Sequence, residues 1–146
     1  MKKWPAVLIL LLVIVFWCFS GTRRYPWKIG DKSAILSTGS ESVRLVLDEG
    51  TLSPTGASFR IWNDTQGTFP MGEEYSIEIW HRGSWHVIEP KKALDWPLTR
   101  WEMGPGEHTF SVDWAAVYGK LPRGRYRLVK PYFGKPLYLL CEFELP

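Results

Sequence analysis

From residue 43 onward the chain alternates apolar and polar side chains with a period of two, and Gly, Pro, Asn and Ser interrupt the alternation at short intervals. Val43, Leu45 and Leu47 alternate with Arg44 and Asp48; Ala57, Phe59 and Ile61 with Ser58, Arg60 and Trp62. Ile77 and Ile79 alternate with Glu78 and Trp80, Phe110 and Val112 with Ser111 and Asp113, and Leu139, Cys141, Phe143 and Leu145 with Glu142 and Glu144. Such alternation marks strands with one buried face. It places strands at 43–48, 56–63, 74–81, 85–89, 108–114, 125–131 and 137–145. Arg82-Gly83-Ser84 reads as a tight hairpin turn, with Gly supplying a positive φ. The one helical candidate is a single turn at Ala115–Tyr118. Parallel strands need long crossovers, which are absent here, so the sheets must be antiparallel. Seven antiparallel strands in about 100 residues make a two-sheet sandwich.

The N-terminus has a different pattern. Met1-Lys2-Lys3 precedes Trp4–Phe19, a run without a charged residue or a polar face. A soluble amphipathic helix would show such a face. The run therefore predicts one hydrophobic N-terminal helix, either a cleaved signal peptide or a retained anchor. At 1.5 Å per residue it spans roughly 24 Å, and roughly 27 Å with Ser20 and Gly21, a marginal crossing of a ~30 Å hydrocarbon layer. Trp4 and Trp17 suit the two interfaces. Cys18-Phe19-Ser20 is a poor cleavage site, which favours retention. Lipid attachment at Cys18 is a third outcome, opposed by the bulky Trp17 before it. The chain thus divides into an anchor or signal segment at 1–20, a stem at 21–42 with a short strand suggested at Ala34–Ser37, and a domain at 43–146. The expected location is the cell membrane, with the domain outside the cytoplasm, or secretion if the leader is cleaved.

Charge excludes one class of partner. The formal net charge is +3, but from Val43 onward 12 Lys and Arg face 13 Asp and Glu. The folded part lacks the concentrated basic face that nucleic acid requires. Of two cysteines, Cys18 lies in the leader, so Cys141 has no partner for an intradomain disulfide and reads as a small buried hydrophobe.

Leu121-Pro122-Arg123-Gly124-Arg125-Tyr126 is a turn leading into a strand whose first inward residue is Tyr. In Greek-key sandwiches a Tyr there hydrogen-bonds back to the loop, the tyrosine corner of immunoglobulin-like folds. Other motifs follow in order: Ser53-Pro54-Thr55-Gly56 with Phe59-Arg60-Ile61 and Asn63, Tyr75-Ser76-Ile77-Glu78, Gly83-Ser84-Trp85, and Pro105-Gly106-Glu107. Val112-Asp113-Trp114 through Tyr118-Gly119 and Glu142-Phe143-Glu144 complete the set. Together, over residues 43–146, these resemble the bacterial Ig-like domain of exported proteins and lipoproteins of Gram-positive, mostly spore-forming bacteria. The resemblance implies a seven-stranded antiparallel immunoglobulin-like β-sandwich, and it brings no catalytic residues. Trp62, Trp80 and His86 depart from its pattern.

The residues offer few constellations for chemistry. The hairpin puts His81 and His86 on one face, two ligands where zinc sites need three or four, and His108 is distant in sequence. Glu142 and Glu144 share a face with Arg125 and Arg127 opposite, which reads as solvent-side ion pairing. No nucleophile elbow, phosphate loop or cofactor motif is present, so we expect no enzyme, metal or cofactor. The remaining candidates are aromatic. Trp62 and Trp80 turn outward beside Arg60 and Arg82, and Trp96 and Trp101 lie in the connection 93–104. Trp62, Trp80, Trp96, Trp101 and Arg60 are therefore the candidate contacts for a protein or sugar. The competing expectation is that the 93–104 connection folds over Trp62 and Trp80 as a second small core. The functional expectation is a non-enzymatic, membrane-tethered module that binds or spaces at the cell envelope through an envelope protein. A carbohydrate- or peptidoglycan-binding module is the alternative.

Overall fold

The computed structural model describes residues 25–36, 41–132 and 137–146. The run Trp4–Phe19 and the helix expected of it lie outside these residues. Among the described residues no helix is long and apolar enough to cross a membrane.

Among the described residues ten strands form, all antiparallel. They are β1 (Ile29–Lys32), β2 (Val43–Asp48), β3 (Ala57–Asn63), β4 (Phe69–Gly72), β5 (Ser76–His81), β6 (Ser84–Ile88), β7 (Arg100–Met103), β8 (Gly106–Val112), β9 (Gly124–Tyr132) and β10 (Leu137–Leu145). One helix, α1 (Trp114–Tyr118), follows β8 and is N-capped by Asp113, whose carboxylate accepts the Ala116 N–H at 3.2 Å. A five-stranded sheet runs β1-β6-β5-β9-β10, a three-stranded sheet β2-β3-β8, and a two-stranded ribbon β4-β7. The hairpin joining β5 to β6 pairs His81 with Ser84. Its two turn residues both have positive φ, Arg82 at 49° and Gly83 at 84°, the combination that matches strand twist.

The seven strands expected from periodicity are all present within two residues of their expected limits, and three more join them. β1, β4 and β7 are four residues each, too short to display a period. β4 also contains Pro70, and β7 buries no side chain fully. The strand suggested at Ala34–Ser37 sits instead at Ile29–Lys32, paired with β6.

The core lies between the five- and three-stranded sheets. Trp114 stacks on Phe143 at 5.1 Å between centroids, and Phe143 on Tyr126 at 5.7 Å. Trp114 Nε1 donates to the Pro54 carbonyl at 3.0 Å, so its polar edge is satisfied. Tyr126 Oη donates to the Pro122 carbonyl at 2.7 Å, the tyrosine corner expected from the sequence. Gly56 is fixed by close approach: a Cβ there would stand 2.3 Å from the Val112 carbonyl oxygen. Cys141 faces inward but is half-buried, and burial pushes its thiol up to about 11.

Residues 25–36 of the segment read as a stem are part of the fold. Trp27 is buried in the core against Tyr126, and Tyr25 stacks on Trp27 at 4.7 Å. After β1, residues 33–36 cross the outer face of the five-stranded sheet as a strap. Beneath it lies a buried ion pair, with Glu78 1% and Arg127 2% exposed. Arg127 Nε donates to Glu78 Oε2 at 2.6 Å, and its Nη2 donates to the Ile35 carbonyl at 2.7 Å and to Ser33 Oγ at 3.2 Å. Ser33 Oγ donates to Glu78 Oε1 at 2.6 Å, and the guanidinium lies 4.7 Å from the Trp85 ring. The expected pairing of Arg127 with Glu142 therefore does not form. Arg125 takes Glu142 alone, at 2.6 Å, in solvent.

Candidate functional site

The ribbon β4-β7 forms because the connection after β6 doubles back. Phe69 opposes Met103, and Met71 opposes Trp101. This overturns the expectation that the 93–104 connection covers Trp62 and Trp80. Trp80 is 40% exposed on the outer face of the five-stranded sheet, edge-on to Trp85 at 5.2 Å and 5.2 Å from the Arg125 guanidinium. Trp62 is half-buried on the outer face of the three-stranded sheet, opposite Arg44 and Glu107. Arg60, on the same face as Trp62, approaches Glu107 at 3.9 Å. The five candidate contacts thus fall in three places rather than one.

Two of them do meet. The ribbon, the connection carrying Trp96 and the inner side chains of β3 and β8 enclose a cavity of about 380 Å³. Trp96 packs on Tyr75 at 5.1 Å, and Trp101 stands at the cavity, 45% exposed. Met71, Met103 and Phe110 supply further apolar wall. Thioethers suit such a wall because they adapt to irregular shapes.

One charged side chain lines this cavity from within the core. Lys130 follows Tyr126 and Leu128 on the inward phase of β9 and is 3% exposed. Its Nζ donates to the Gly72 carbonyl at 2.5 Å and the Glu74 carbonyl at 2.9 Å, and lies 5.3 Å from the Phe110 ring. It makes no ion pair among the described residues. Burial pulls its ammonium down to about 8, against a weaker upward pull from Glu73 and Glu74. Tyr75 Oη makes a long contact to the Asp113 carbonyl, 3.4 Å, and burial raises its phenol. Glu73, Ser111 and Asp113 complete the polar lining, the last already engaged in capping α1.

Lys130 is passed over in the sequence reading, although the alternation that turns Tyr126 and Leu128 inward carries it to a core position. Met71, Tyr75 and Phe110 carry no signal beyond that of ordinary wall residues. The paired histidines meet as expected, edge to face at 5.9 Å. His86 engages Ser84 Oγ at 3.0 Å and the Gly30 carbonyl at 3.2 Å, and His108 engages the Gly104 carbonyl at 2.8 Å. No group of three or more metal-ligating side chains occurs among the described residues.

Antiparallel sheets packed face to face, closed by a tyrosine corner at the start of β9, define an immunoglobulin-like domain. A family model described as "Bacterial Ig-like domain" matches residues 39–144, and the chain belongs to that family. β1 and the strap lie upstream of the match. No curated protein and no solved structure matches the chain.

Proposed function

We propose that the chain is a non-enzymatic Ig-like module of the bacterial cell envelope, of the Gram-positive kind its motifs resemble. In this reading residues 4–20 hold it to the membrane and the domain stands outside the cytoplasm, binding an envelope partner as well as spacing it. The observation that carries binding is the aromatic cleft at the β4-β7 ribbon, with Trp101 exposed at its edge and Lys130 inside. Binding is favoured over hydrolysis because no converging carboxylate pair works there: Asp113 is committed to a helix cap. A glycan is the second reading, favoured by Trp96 and Trp101 lining one cleft.

The membrane placement has a direct test. Protease added to intact protoplasts should digest the domain, and N-terminal sequencing of membrane-bound protein should begin at Met1. A mature protein starting at Gly21, or at a lipid-modified Cys18, would overturn the retained anchor. Full protection from the protease would overturn the external location.

A further inference from the structure

An ammonium has three N–H donors, and Lys130 spends two of them on backbone carbonyls. The Phe110 ring lies 5.3 Å from Nζ, and Lys130 lines the cavity beside that ring. A buried charge without a counter-ion is costly, and carbonyl dipoles offset that cost only in part. The site therefore holds one buried ammonium with no direct ion pair among the described residues, in an apolar, aromatic-walled space. Its volume of about 380 Å³ lies at the small end of the range for small-molecule sites.

We infer that this cleft takes a ligand with a single carboxylate on an apolar or aromatic body, the carboxylate accepting the third N–H of Lys130. The charge of the ligand is bounded by what else faces the site. Glu73 and Asp113 line the same cavity, Glu74 stands behind the ammonium, and Tyr75 is neutral. These groups disfavour a dianion such as a phosphate monoester, and no Arg fork is present to clamp one. One negative head answers the one ammonium, and a second negative charge would only add to those of Glu73 and Asp113. The body of the ligand packs on Trp96 and Tyr75 and leaves past Trp101. Such a head and body belong either to the C-terminus of a polypeptide ending in an apolar residue or to a free organic acid. The inference names a ligand for the binding reading above and does not depend on where the protein resides.

The test uses the full chain in an uncharged detergent, with tryptophan fluorescence as readout. The probes are acetyl-glycyl-leucine and 3-phenylpropionate, each against its neutral amide. At pH 7 the acids should bind at least tenfold more tightly than the amides. Raising the pH to 9.5 should weaken the acids by about tenfold or more as Lys130 loses its proton. Lys130→Met should erase the acid preference, and Trp101→Ala should weaken acid and amide together. A stronger dipeptide signal identifies a polypeptide C-terminus; a stronger phenylpropionate signal identifies a free acid. Amides binding as well as acids, preference for the neutral N-acetylglucosamine trimer, or no binding at millimolar concentration would each overturn the inference. Should Lys130→Met fail to fold, the amide and pH comparisons on the natural chain still decide it. Failure here leaves the protoplast result intact, so the two readings fail separately.

Discussion

Arg125 and Arg127 stand two residues apart on one face of β9, yet their surroundings give them opposite worth. Arg125 meets Glu142 in solvent, where an ion pair contributes about 0–1 kcal/mol. Arg127 is sealed beneath the strap with Glu78, and removing one partner there strands a buried charge, at about 3–5 kcal/mol. Arg127→Met should therefore lower the denaturant midpoint severely, while Arg125→Met should lower it slightly. The double variant Glu78→Leu with Arg127→Met should recover much of the loss, because both charges then leave the interior together. Alternation puts both arginines on one face and says nothing of a lid. The lid comes from residues 33–36, which show no period at all, so this pair was illegible in the sequence. Tyr126 was legible, because Leu-Pro-x-Gly-x-Tyr encodes a turn and an inward ring at once. Tyr126→Phe leaves the Pro122 carbonyl without its donor and should cost about 1–2 kcal/mol by chemical unfolding.

At the level of elements, strands with one face in the core announced themselves, and the short pieces at the edges did not. β4 buries Phe69 and Met71 but is only four residues long and broken by Pro70, and β7 buries no side chain fully and carries Arg100 and Glu102, so their pairing follows from the chain turning back, not from a pattern. That is why Trp96 and Trp101 were visible as candidates while their meeting with Met71, Tyr75 and Lys130 was not. The same geometry changes what Trp80 is worth. Uncovered by the connection, it has Trp85 and Arg125 as its ring neighbours among the described residues, and Trp80→Ala should cost about 1 kcal/mol or less. Trp114→Ala, at the centre of the core, should cost about 3–5 kcal/mol. Equal losses in thermal melts of the two variants would show that Trp80 is covered after all. The upstream elements can be weighed by deletion. A chain beginning at residue 41 keeps nearly the whole family match but loses Trp27, β1 and the strap. It exposes Arg127 and Ile88, and should unfold at markedly lower denaturant than a chain beginning at residue 25.

For the whole molecule, stability should respond to pH in a narrow alkaline window. Lys130 holds its proton less tightly folded, about 8, than at its ordinary 10.5. The unfolded chain thus binds more protons between these values, and stability rises with pH there. Cys141 acts in reverse. Its thiol is raised from 9.0 to about 11, so stability is lost as pH climbs above 9. Tyr118, raised from 10.0 to about 12, adds to that loss above pH 10. Between pH 8 and 9 the lysine dominates, and unfolding free energy should increase by about 1 kcal/mol. Urea titrations should show this rise in the natural protein and none in Lys130→Met.

The strap also fixes how long a leash the domain has. Were residues 21–42 an extended connector, they would reach roughly 75 Å. Tyr25, Trp27, β1 and residues 33–36 are instead built into the body of the domain, which leaves residues 21–24 to bridge the gap to the proposed anchor, a reach of roughly 14 Å for a fully extended chain. Moored that closely by the proposed anchor, the module would not sweep out in search of a distant partner. Its working range would be the layer within about one domain diameter of the bilayer surface, and whatever it met would have to come to it there.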